Sequence, residues 1–116
     1  MLSNLTTKAG IGMAACIALL ALAHPAPAQQ AKEIQITHRG KQFRPAEVSV
    51  PAKTPLSLRI KNLDAEPIEF ESDTLHVEVV VNGNSEGTTT VQSLAPGRYE
   101  FFDDFNQKTH GVLVAK

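Results

Sequence analysis

Pro96-Gly97-Arg98-Tyr99-Glu100-Phe101-Phe102-Asp103-Asp104-Phe105 places a carboxylate where a core residue is due. As a strand from Gly97 to Phe105 it alternates with period two, so Tyr99, Phe101, Asp103 and Phe105 share one face. Three aromatics mark that face as buried. A buried carboxylate without a partner costs roughly several kcal/mol, so Asp103 is expected to be paired, protonated or bound to a metal. Six further acids lie from position 64 to position 78, namely Asp64, Glu66, Glu69, Glu71, Asp73 and Glu78, and His76 and His110 are the nitrogen donors at hand to join them. Together these residues predict a metal site on a small β-sandwich.

Outward from that strand, the chain after Ala28 reads as β throughout. Glu33–Thr37, Glu47–Val50, Leu56–Lys61, Ile68–Ser72, Val77–Val81, Thr88–Val91, Gly97–Phe105 and Val112–Ala115 are the predicted strands. Leu56, Leu58 and Ile60 alternate with Ser57, Arg59 and Lys61, the mark of a half-buried strand. Asn82-Gly83-Asn84 and Ala95-Pro96-Gly97 are turn signals. No window offers a helix of useful length. Short strands broken by Pro, Gly and Asn predict an all-β fold, a Greek-key antiparallel β-sandwich.

Residues 1–28 read as an export signal and residues 29–116 as the folded domain. Lys8 supplies the basic n-region, Ala9 to Ala23 the apolar region, and Ala26-Pro27-Ala28 a cleavage site. The apolar run is shorter than the roughly 20 residues of a membrane span, so no direct membrane insertion is expected after cleavage. The destination expected is the periplasm. Cleavage removes Cys16, the single cysteine, and with it any disulfide or thiolate ligand. It also removes Lys8, taking the formal charge from −1 to −2 (10 basic residues against 12 acidic). That balance, with its scattered basic residues, excludes nucleic acid as a partner class. Nucleophile elbows, phosphate loops and EF-hand spacing are absent as well.

Phe43-Arg44-Pro45, Val48-Ser49-Val50-Pro51 and Leu56-Ser57-Leu58-Arg59-Ile60-Lys61-Asn62 resemble the opening half of a cupredoxin, and Pro96 to Phe101 with Gly111-Val112-Leu113-Val114 its closing half. The resemblance implies a cupredoxin-like sandwich. Its blue-copper ligands do not carry over: Ile68, Asp103 and Asn106 stand at the positions of the first histidine, the cysteine and the second histidine. A trigonal blue-copper centre needs a thiolate. Glu69-Phe70-Glu71-Ser72, Leu75, Glu78 and Phe101-Phe102-Asp103-Asp104-Phe105 resemble a narrower group, the cupredoxin-like periplasmic proteins of bacterial iron uptake, related to the cupredoxin domain of the EfeO proteins. This resemblance implies copper, of type 2 rather than blue, and iron as a substrate ion. It also implies a periplasmic iron-binding protein and a membrane iron permease as partners. Members of the group often carry histidine where this chain has Asn106, which leaves His110 as the alternative imidazole.

Asp103 is the leading metal-ligand candidate, with backbone hydrogen bonding as the competing role. Asp104 points the other way by parity. Glu69 and Glu71 share a strand face about 7 Å apart, where they either bracket a cation or face water. His76 and Glu78, two apart on a strand, lie on one face. His110 precedes the last strand and is preferred to His76, while His38, beside Arg39 and Gly40, reads as a surface turn residue. Two function classes follow. In one, Cu(II) held by Asp103, His110 and glutamates accepts an electron from Fe(II). In the other, the protein is a non-catalytic copper or iron carrier, or an adaptor that docks on a transport partner.

Overall fold

The structure is a computed structural model that describes residues 30–116; the expected export signal, with Cys16, lies outside the described residues. Nine strands form two sheets: β1 (Lys32–Arg39), β2 (Gln42–Arg44), β3 (Glu47–Val50), β4 (Leu56–Asn62), β5 (Ile68–Ser72), β6 (Val77–Val81), β7 (Ser85–Val91), β8 (Gly97–Asp103) and β9 (Asn106–Ala115). One sheet runs β2-β1-β4-β7, the other β3-β9-β8-β5-β6. Among the described residues no helix is long and apolar enough to cross a membrane.

Period-two burial explains most of these strands. β4 is the clearest, with Leu56, Leu58, Ile60 and Asn62 buried and the residues between them half-buried. In β5, Ile68, Phe70 and Ser72 turn inward and Glu69 and Glu71 outward. The all-β sandwich expected from the sequence is what forms. Two pairings are parallel, β1 with β4 and β3 with β9, so the sandwich is mixed rather than purely antiparallel. Strand alternation alone does not encode partner direction.

One strand was not anticipated. β1 continues past Thr37 to Arg39, turns through Gly40 and Lys41, both at φ 60°, and returns as β2. Two successive positive-φ residues are the signature of a two-residue type I′ hairpin turn. The extension carries the alternation of Ile34 and Ile36 one step further, to His38, which is 3% exposed. His38 is therefore an inward-facing strand residue, not a surface turn residue.

Three phenylalanines join the sheets at the core. Phe43 meets Phe70 and Phe101 edge-on, with centroids 5.8 and 5.1 Å away, and Phe70 and Phe101 lie 4.9 Å apart. His38 packs edge-on against Phe43 at 5.3 Å. Opposite Phe101 on β9 stands Gly111, where an added Cβ would lie 2.6 Å from the ring and 2.8 Å from the Ala46 carbonyl oxygen. The glycine makes room for the ring. Gly111→Ala is expected to destabilise the domain by about 1–3 kcal/mol through overpacking, read from urea denaturation midpoints at an unchanged m-value.

Candidate metal centre

Asp103 ends β8 on the inner face, 3% exposed. Its Oδ1 accepts hydrogen bonds from the backbone N–H groups of Glu69 and Phe105, each at 3.0 Å. The β5–β8 pairing reaches Phe70 opposite Asp103. One residue further along β5, the Asp103 carboxylate receives the Glu69 N–H, and the Asp104 N–H donates to the Glu69 carbonyl at 2.8 Å. Such charge-assisted bonds are the stronger kind. They satisfy Oδ1 without a metal, and neither falls on Oδ2. The register shifts between Phe102 and Asp103, and the chain turns at 104–105. Phe105, expected on the buried face, is consequently 57% exposed.

The same turn brings Asp104 to the outer face of the five-stranded sheet, beside the outward acids of β5. Glu69, Glu71 and Asp104 each offer a carboxylate oxygen, and these lie within 4.8 Å of one another. Glu78 pairs with Glu71 across β5 and β6, a like-charge pairing that costs stability unless something neutralises it. Contact with the Glu78 carboxyl, aided by desolvation and the charges of Glu78, Asp104 and Glu71, pushes Glu69 up to about 7. Desolvation, then Asp104, Glu78 and Asp73, raise Glu71 as well. Among the described residues, none of the four acids is in an ion pair with Lys, Arg or His. Asp104 accepts one hydrogen bond, from Gln107 Nε2 at 3.0 Å. A multivalent cation would relieve this crowding, and carboxylate oxygens suit iron and other hard ions.

The imidazoles expected to join these acids stand apart from them. His110 pairs with Phe102, which puts it on the outer face in the cross-strand row Glu78, Glu71, Phe102, His110. Phe102 thus separates His110 from Glu71, neighbouring strands being about 4.8 Å apart. Asp103 faces inward, so Asp103 and His110 lie on opposite faces of the sheet. His76 precedes β6 rather than lying in it. It adopts φ 54° in the turn, where its N–H donates to the Asp73 carbonyl at 3.4 Å. The two-residue spacing to Glu78 therefore does not place it beside that acid as strand geometry would.

The donors form a second group at the end of the sandwich. An open cleft of about 560 Å³ is lined by Ile68, Asp103 and Asn106, the positions that the cupredoxin resemblance gives to copper ligands, and by His38, Asp64 and Glu66. Asp64 is not a loose loop charge. It accepts from the N–H groups of Gly40 and Lys41 at 2.9 and 3.0 Å, which hold its carboxyl below the usual range. Buried Asn62 turns its amide nitrogen toward the carbonyls of Glu66, Val81 and Asn82 and its Oδ1 toward His38 Nδ1 at 3.2 Å. Asp64 Oδ2 lies 3.3 Å from the same nitrogen. His38, which reads as a surface turn residue in the sequence, belongs to this group, and Ile34-x-Ile36-x-His38 carries the inward alternation that finds it.

A two-sheet sandwich with its polar cleft between strand ends defines the class. A family model for the cupredoxin-like domain matches residues 12–115, and the chain belongs to that family. An uncharacterized protein of Rickettsia prowazekii (strain Madrid E) is 40% identical over 83 residues, 71% of this chain; the match spans 66% of that protein, just under two thirds of its length. Among solved structures, the metal-binding domain of the Cu(I)-exporting P-type ATPase CopA of Streptococcus pneumoniae D39, solved with Cu(I), is similar at a TM-score of 0.66 and 14% identity, over 72% of this chain and 84% of that one. Auracyanin A, a blue copper protein of Chloroflexus aurantiacus, is similar at 0.62 and 16%, over 75% and 100%. At these identities the likeness is one of fold.

Two outcomes follow from the site geometry. With its folded-state value near 7 and its ordinary value 4.5, Glu69 holds its proton more tightly when folded, so metal-free stability is expected to fall as pH rises from about 4.5 to about 7. Thermal midpoints across that window should decline in the wild type and flatten in Glu69→Gln. Asp103→Ala, which strands two N–H groups, should cost roughly 1.5–3 kcal/mol by chemical denaturation, and Asp103→Asn, which keeps an acceptor oxygen, less.

Proposed function

We propose that the protein is a periplasmic metal-binding protein of iron uptake, in which Glu69, Glu71, Glu78 and Asp104 hold iron as cargo. The observation that carries this reading is the crowding of four uncompensated carboxyls on one sheet face, three of them with oxygens within 4.8 Å. The resemblance of the segments from Glu69 to Glu78 and from Phe101 to Phe105 to the EfeO-related proteins supports iron as the ion and an iron permease, with a periplasmic iron-binding protein, as partners. Oxygen donors of this charge favour Fe(III) over Fe(II).

Copper fits the family and the donor chemistry of the end cleft, where carboxylate and imidazole suit Cu(II) of type 2. With no cysteine or methionine among residues 30–116, a blue-copper centre lacks its sulfur ligands. Copper held there by His38 and Asp103 would supply a one-electron acceptor for Fe(II), with dioxygen as the terminal oxidant, and the outer-face acids would retain the ferric product. The second reading is a carrier or adaptor without turnover, and the absent thiolate favours it, since that removes the usual route of fast copper cycling.

Iron titration of the metal-stripped protein at pH 6, followed by calorimetry in two buffers of different ionisation enthalpy, tests the quartet. Saturable binding with net proton release is expected, because the ion displaces the proton that Glu69 holds near neutrality. In Glu69→Gln/Glu71→Gln the affinity should fall at least about tenfold, the scale of losing more than one charged contact. Binding unchanged in the double variant would end the assignment. Separately, copper-loaded protein that consumes Fe(II) no faster than free copper would leave the carrier reading standing.

A further inference from the structure

His38 Nε2 is the single buried side-chain nitrogen or oxygen among the described residues that has no hydrogen-bond partner. Natural interiors rarely leave such an atom unpaired, and a role in binding an ion is one recognised reason. The ring's other nitrogen explains why the atom is a lone pair. Nδ1 faces two acceptors, Asn62 Oδ1 at 3.2 Å and Asp64 Oδ2 at 3.3 Å. The orientation of Asn62 is set by three carbonyls around its amide nitrogen, so its oxygen must be the atom turned to His38. Nδ1 therefore carries a hydrogen, and in the neutral ring Nε2 holds the lone pair. Carboxylate–imidazole pairs with a free Nε2 are the arrangement that orients histidine toward a metal.

We infer that His38 Nε2 is a nitrogen ligand for a divalent first-row cation, Cu(II) being the best fit, at the inner end of the cleft that Asp103 lines from the opposite sheet. Asp103 offers Oδ2, since both backbone bonds fall on Oδ1. Asp64 is a positioning residue that acts through Nδ1. His38 lines the open cleft, so a small shift of its ring suffices to present Nε2 to an ion there, about 2.0–2.1 Å from the nitrogen. The cleft donors are not drawn together as tightly as the outer-face acids, the sole trio within 4.8 Å among the described residues. An ion here would complete its shell with water from the open side. The inference rests on the reading of the protein as metal-binding, and it concerns the inner face, away from the proposed iron site.

Cu(II) added to the full-length metal-free protein, followed by EPR, tests it in a His24→Ala/His76→Ala/His110→Ala background, which leaves His38 as the single imidazole. Nitrogen coupling from one imidazole is expected in that background and its loss on adding His38→Gln. Asp64→Asn should weaken Cu(II) binding about 10–100-fold while keeping the coupling. Since His38→Gln bears on the core, the wild-type protein supplies a second readout. Ring nitrogen NMR should show an unprotonated His38 Nε2 whose signal broadens at substoichiometric Cu(II). An undisturbed His38 signal, or imidazole coupling that survives in His38→Gln, overturns the assignment. Either result leaves iron binding at the outer-face acids to be judged by its own titration.

Discussion

The two hydrogen bonds on Asp103 Oδ1 are the constraint from which the site is built. Beyond the Phe70–Asp103 pair, the carboxylate receives the Glu69 N–H, while the Phe105 N–H binds the same oxygen. Those contacts end β8, hold the 104–105 turn against β5, and let Asp104 cross to the outer face, where its own N–H meets the Glu69 carbonyl. An apolar residue at 103 would satisfy burial and leave both donors unpaired. The cost of a buried charge is thus met by backbone dipoles.

From that turn, strand parity divides the donors into two groups of different chemistry. Outward lie Glu69, Glu71, Glu78 and Asp104, oxygen donors crowded enough to push Glu69 up to about 7. Inward, at the end of the sandwich, lie Asp103, Asp64 and the imidazole of His38, with Phe43 packed against the ring. The outer group suits a hard cation and the inner group a borderline one.

Much of this is legible in the amino-acid order, for identifiable reasons. β3, β5 and β6 form over the spans their composition predicts, since β-branched and aromatic residues alternate there between clear turn signals. Asp103 stands out because three aromatics share its parity. His38 does not, because the Gly40-Lys41 turn hides a hairpin of which β2 is only three residues long. His76 misleads for the opposite reason: two-residue spacing implies a shared face only inside a strand, and φ 54° takes it outside one. His110, expected ahead of the last strand, instead lies within β9 opposite Phe102, because β9 begins at Asn106, and Phe102 intervenes between it and the acids, a fact of register rather than of local pattern.

The sequence by itself determined the all-β class, the inward face of Leu56, Leu58 and Ile60, the burial of Phe101, the cupredoxin likeness and the concentration of acids between positions 64 and 78. These depend on period, propensity and composition, which act over a few residues. The tertiary structure alone decided that β1 lies parallel to β4, that Glu78 faces Glu71, that Asp104 joins Glu69, and that Asn62 and Asp64 lock His38 from 24 and 26 residues away. Contacts of that kind arise from strand pairing and register, and a single chain's alternation specifies a strand's buried face without specifying its neighbour.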